Sequence, residues 1–162
     1  MQNNPRAEDH CDRRRQTADQ RGQKLVVTMA NSHQLLLVVL PGTYAIARFA
    51  ADAAIPFRYA ESFFYSVSKT DQELSLVCEE KFLCGDVKAE RERRLIRVES
   101  TLAFSLTGIV ASLATPLAEV AVSIFSVSTY DTDYLLVRDE DLEKAIAALE
   151  RAGHKVQRRT SE

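Results

Sequence analysis

The sequence predicts an α+β fold made of two similar small units, the second complete and the first abbreviated. Three observations carry this. The first is an internal repeat: residues 64–80 read FYSVSKTDQELSLVCEE and residues 124–140 read IFSVSTYDTDYLLVRDE, with seven of seventeen positions identical at an offset of sixty. The second is alternation. Each copy alternates apolar and polar residues around a polar centre, Lys69 to Gln72 and Thr129 to Thr132. That is the pattern of a β-hairpin whose turn Thr or Asp side chains can close through bonds to their own backbone. The third is a pair of helical stripes flanking the second hairpin. In GIVASLATPLAEVA (108–121), Ile109, Leu113, Leu117, Val120 and Ala121 recur at helical spacing, and in EDLEKAIAALERA (140–152), Leu142, Ile146 and Leu149 do so.

Element by element, the second unit opens with a strand-like run over Leu95 to Phe104, followed by Ser105-Leu106-Thr107-Gly108 as a turn with a helix start signal. Pro116 lacks a backbone donor, so a kink is expected in the first helix, with the apolar stripe continuing beyond it. Asp139 is the expected cap of the second helix and Gly153 its stop, with a closing strand at His154 to Arg158. The order is β-α-β-β-α-β. In the first unit, Leu35 to Leu40 and Tyr44 to Phe49 read as strands around Pro41-Gly42, and Asp52 to Ser62 as a short helical segment interrupted by Pro56. The highly charged stretch Val87 to Arg94 stands where a closing helix belongs and is expected to form a single turn. The expected division is a flexible basic leader over 1–33, a first unit over 34–94, a second over 95–158 and a tail over 159–162.

Composition fits a soluble globular protein, with 46% apolar and 27% charged residues in 162. The longest apolar run, Leu35 to Leu40, is far short of the ~20 residues that cross a bilayer, so no membrane is expected. The N-terminal residues carry no apolar signal core, and a cytoplasmic setting is the expectation. Cys11, Cys78 and Cys84 are odd in number and lack metal-ligand spacing, which argues against a disulfide framework and a zinc ribbon. Arg13, Arg14 and Arg15 lie in the basic leader without interleaved aromatics and read as a solvated tail, not a nucleic-acid patch.

These residues resemble the ACT-domain superfamily, and more narrowly the small bacterial-type tandem-ACT proteins related to the CASTOR arginine sensors. The resemblance covers about residues 35 to 156. It rests on FSVSTYDTDYLLV (125–137) and FSLTGIVASLATPLAEV (104–120), supported by LPGTYAIARF (40–49) and VKAERERRLIRVE (87–99). It implies a tandem ferredoxin-like sandwich, a homodimer that imitates one CASTOR chain, and an amino-acid effector held between paired domains.

The residues are compatible with that chemistry. Thr107, Gly108, Ile109 and Val110 would present backbone amides at a helix start, where the dipole favours an anion such as an α-carboxylate. In the hairpin, Ser128, Thr129, Tyr130 and Asp131 complete the expected ligand set, with Asp131 carried over from the family's hairpin acid to receive an ammonium or a basic side chain. The ordinary reading of Asp133 is a bond to its own turn. The two units are not expected to bind alike. Lys69 and Gln72 stand where the second hairpin has Thr129 and Thr132, and Arg48 lies at the repeat offset from Gly108.

No metal or cofactor is expected. His10, His33 and His154 form no recognisable nucleophile turn with a neighbouring Ser or Cys, and no P-loop, GxGxxG or HExxH occurs. The expectation is a regulatory, non-enzymatic protein that senses an amino acid, preferably a basic one. The alternative is a ligand-free ACT-type assembly module.

Overall fold

The computed structural model describes residues 34–54, 57–99 and 107–160. The expected leader, residues 1–33, and the turn residues Ser105 and Leu106 lie outside the described residues.

Among the described residues, eight strands and two helices follow in chain order: β1 Leu36–Val39, β2 Tyr44–Phe49, β3 Ser66–Lys69, β4 Leu74–Glu79, β5 Ala89–Val98, α1 Ile109–Glu119, β6 Phe125–Ser128, β7 Asp133–Arg138, α2 Leu142–Arg151 and β8 Lys155–Arg158. Short 3-10 turns occupy Phe57–Glu61, Glu80–Phe82 and Asp139–Asp141. The strands form one sheet organised around β5. The first half of β5 pairs with β2 (Tyr44↔Arg93, Ile46↔Glu90), and its second half pairs with β1 on the same edge (Leu37↔Val98, Val39↔Ile96). Its other edge carries β7, which carries β6. On the far side, β1 runs parallel to β8.

A strand from the first half of the chain therefore lies between the first and last strands of the second unit. β5 in turn runs through the expected boundary at residues 94 and 95. Pro41-Gly42 makes this possible: Gly42 sits at φ +81, a region open to glycine at little cost, and lets the chain step from β1 to β2 along one edge of β5. Opposite that step the β2–β5 register shifts, and Glu92 of β5 takes φ 54.

Alternation in the strands builds two faces. On one, Leu37, Val39, Ile96, Val98, Leu135 and Val137 pack against Ile109, Leu113 and Leu117 of α1 and Leu142, Ala145 and Leu149 of α2. On the other, Val38, Leu40, Leu95 and Leu136 meet Tyr44, Phe64 and Val77, so a second core is shared by both halves of the chain. The rings of Phe64 and Tyr134 lie 4.4 Å apart within it. Each such side chain contributes about 1.5–3 kcal/mol when fully buried. The first unit has no α-helix among its described residues. Ala45, Ala47, Leu76 and Cys78 are covered instead by Tyr59 and Leu83, carried on or beside 3-10 turns.

Three expectations need correction. Val87 to Arg94 does not form a closing turn, because Ala89 onward is strand and its alternating charges lie along β5. Asp139 does not cap α2; Asp141 takes the capping position without a side-chain bond, while Asp139 pairs with Arg94 at 3.0 Å. The repeat is offset by one residue from the alignment that revealed it. Thr70 bonds through its amide to the Glu73 carbonyl, and Thr129 does the same to Thr132, so the turns superpose fifty-nine residues apart. At the sequence offset of sixty, Leu76 would match Leu136, yet these face different cores. A one-residue slip changes the face of every side chain, so packing selects fifty-nine. Other expectations hold. α1 runs through Pro116 to Glu119, and Gly153 at φ +95 stops α2, with the amides of Gly153 and His154 closing on Glu150 and Leu149.

Candidate ligand site

The N-terminal end of α1 is built by a glycine. Gly108 occupies the capping position at φ +83, and Thr107, Gly108 and Val110 are exposed. Ile109 differs: its side chain is part of the helix-covered core, so only its backbone can meet a ligand. The first turn contains no acidic residue, which leaves the positive end of the helix dipole uncompensated by its own sequence.

Two sets of bonds bring this helix start and the second hairpin turn to the same end of the sheet. Thr132 Oγ1 donates to the Val98 carbonyl at 2.7 Å, tying the turn to the end of β5. Val98 pairs with Leu37 near the start of β1. Just before β1, the Leu35 amide donates to His154 Nδ1 at 3.3 Å, and His154 Nε2 lies 3.3 Å from the Ser112 carbonyl in the first turns of α1. The buried His154 thus fixes α1 against the β1–β8 edge at the end of the sheet where Thr132 fixes the turn.

Within the turn the hydroxyls are already engaged. Thr129 Oγ1 donates to the Thr132 carbonyl at 2.9 Å and accepts the Thr132 amide at 3.3 Å, so threonine closes this turn, as Thr70 closes the first. Ser128 donates to Asp133 Oδ1 at 2.5 Å, so Asp133 faces the neighbouring strand's hydroxyl and not, as expected of it, the amides of its own turn. Tyr130 and Asp131 stand at the tip, Tyr130 78% exposed. By the observed register Asp131 corresponds to Gln72 of the first hairpin, whose own acid, Asp71, stands one position earlier, where the second has Tyr130.

The family model described as ACT domain matches residues 88–151, and an N-terminal domain model matches residues 42–86. A crystal structure of protein Atu0741 from Agrobacterium tumefaciens is 38% identical, covering 80% of this chain and 97% of that one, with a TM-score of 0.75. Residues 88–151 form an ACT domain. The match begins one residue before β5 and ends with α2. β1 and β8, the strand pair held by His154, lie outside both matched segments.

The fold likeness extends further. A Vibrio cholerae protein of unknown function, VC0802, described as a possible transport protein, aligns at 20% identity and a TM-score of 0.60, covering 74% of this chain and 91% of that one. Aspartate kinase from Clostridium acetobutylicum, described as an allosteric enzyme, aligns at 15% identity and a TM-score of 0.53, over 68% of this chain and 32% of the kinase. No curated protein matches the chain. None of the helices formed by the described residues is long and apolar enough to cross a membrane.

What the sequence missed lies around the expected ligand residues. His154 read as a residue near the closing strand, and its link to Ser112 spans 42 residues. The one available signal was Pro116, whose missing amide leaves the carbonyl four residues earlier in need of another donor.

Proposed function

We propose that this ACT protein is a cytoplasmic regulator that binds an amino-acid effector where the start of α1 meets the β6–β7 turn, at a boundary completed by a second copy. The observation that carries this is the placement of Gly108 and Asp131 at one end of the sheet, through the Thr132–Val98 and His154–Ser112 bonds. The exposed amides of Thr107 and Gly108 offer an α-carboxylate a helix start, and Asp131 offers an amine or a basic side chain a counter-charge. The resemblance to CASTOR sensors and the position of Asp131 favour a basic effector.

Enclosure supports the boundary. Micromolar binding requires about −8 kcal/mol, and a helix end contributes only about 0.3–1 kcal/mol of it. Several charge-assisted bonds sheltered from water are needed, more than an open helix start supplies.

Thermal unfolding in the presence of each of the twenty amino acids tests the reading. One of them, at a hundredfold excess over its dissociation constant, should add about 2.7 kcal/mol of stability. Asp131→Ala should remove the shift while leaving the ligand-free midpoint unchanged. A flat response to the whole panel would reject effector binding. It would favour a second reading, an assembly module, supported by the outer strands β3 and β6 with exposed Val67 and Phe125 along them.

A further inference from the structure

A groove of about 470 Å³ opens at the other end of β1, and its size falls within the range of small-molecule sites. Its walls come from both halves of the chain: Gly42 and Thr43 from the step between β1 and β2, Phe63 from the loop before β3, Glu79 from the end of β4, and Arg159 after β8. Arg48, Arg91, Arg93, Arg94, Arg97, Arg138 and Arg158 each pair with a carboxylate. Arg159 belongs, with Arg58 and Arg151, to the few arginines without a carboxylate partner among the described residues, and it alone of these lines the groove. It is nevertheless held in place. Its backbone amide donates to the Val39 carbonyl at 3.0 Å, and its guanidinium lies 5.6 Å above the half-exposed ring of Phe63.

We propose that this junction groove binds a small organic carboxylate bearing a hydrogen-bond donor, hydroxyl or ammonium, with the carboxylate on Arg159 and the donor on Glu79. A planar guanidinium fixed over an aromatic ring matches a carboxylate in a two-bond fork. Gly42, at φ +81 with nothing within 4 Å of where a Cβ would stand, leaves the backbone open to close approach. The Glu79 carboxylate is mostly buried and meets Lys81 at 2.7 Å, and the largely exposed Lys81 can yield to a ligand donor. Because the walls belong to both units, the ligand bridges them, at the opposite end of the β1–β8 pair from the effector site proposed above. The two sites are independent, and their amides report on them separately.

The test is amide NMR on the full chain with propionate, lactate and alanine at millimolar concentration, which share a carboxylate and differ in the donor. Saturable shifts at Gly42, Thr43 and Thr160 are expected, with lactate or alanine binding more tightly than propionate. Arg159→Ala should weaken binding about tenfold or more, the size of one lost charge-assisted bond, with Arg159→Lys intermediate. Glu79→Gln should bring lactate and alanine to the level of propionate. An unchanged unfolding midpoint for Arg159→Ala establishes that its fold is intact. Absence of shifts at these amides, equal shifts with chloride, or shifts that survive Arg159→Ala would overturn the proposal.

Discussion

His154 Nε2 lies 3.3 Å from the carbonyl oxygen of Ser112, the group that Pro116, four residues on, cannot serve because it has no amide hydrogen. A histidine 42 residues away thus completes the hydrogen bonding of α1 while its Nδ1 accepts the Leu35 amide. With an acceptor at Nδ1 and a donor at Nε2, the ring is neutral and carries its proton on Nε2. His154→Leu should leave a buried amide and a buried carbonyl unpaired and cost about 2–4 kcal/mol in urea unfolding. Pro116→Ala supplies a new donor to Ser112, so it should recover roughly 1 kcal/mol more in His154→Leu than in the parent. Equal effects in both backgrounds would show that the two residues do not share the carbonyl.

Thr132 pins the second turn to β5 by a single 2.7 Å bond to Val98. Thr132→Val keeps the shape and removes that bond, at a cost of about 1 kcal/mol. The effect should be local: hydrogen exchange should rise at the amides of Thr129 and Thr132 and stay constant in the first hairpin. Uniform exchange across both hairpins would contradict it.

Tyr44 is fully buried, and its hydroxyl has no partner among the described residues. Burial, with the carboxylate of Glu79 beside it, pushes its ionisation up to about 12. A phenol that ionises near 10 when unfolded and near 12 when folded stabilises the fold below pH 10. That contribution is lost as the pH rises through 12, because the unfolded chain releases its proton first. The Cys78 thiol, pushed up to about 11 chiefly by burial, acts in the same direction from pH 9. Tyr44→Phe should therefore match or exceed the parent in stability at neutral pH and lose less between pH 10 and 12, while retaining the share due to Cys78. Identical alkaline unfolding curves would rule this out.

Gly153 at φ +95 and Ala121 at φ 54 end the two helices in the left-handed region, but only the first is a glycine. Gly153→Ala should destabilise by about 1 kcal/mol, and Ala121→Gly should stabilise by a few tenths to 1 kcal/mol. Thermal midpoints moving in opposite directions are the expected result, and a shared direction would refute the strain argument.

Local patterns made much of the second unit readable. The stripe Ile109-Leu113-Leu117 forms α1, the stripe in 142–149 forms α2, and Gly153 stops it, because helical spacing and a left-handed stop are properties of neighbouring residues. The hairpins were readable for the same reason. Asp139 misled because an acid before an apolar run reads as a cap, whereas the fold places Arg94 within its reach. Val87 to Arg94 misled because a dense row of charges on one segment resembles a solvated turn. In the sheet those charges pair with neighbours on other elements, as Arg94 does with Asp139 and Arg91 with Glu80.

By itself the sequence determined that the chain holds two related hairpins, the β-α-β-β-α-β order of its second half, and the residue types at α1 and the second turn. Only the tertiary structure decided that β1 crosses into the second unit, that the repeat registers at fifty-nine, and that Arg159 reaches Phe63 at the junction. The reason is physical: spacing and turn chemistry act between neighbours in the chain, while strand partners, core faces and charge pairs are chosen by competition among segments far apart in it.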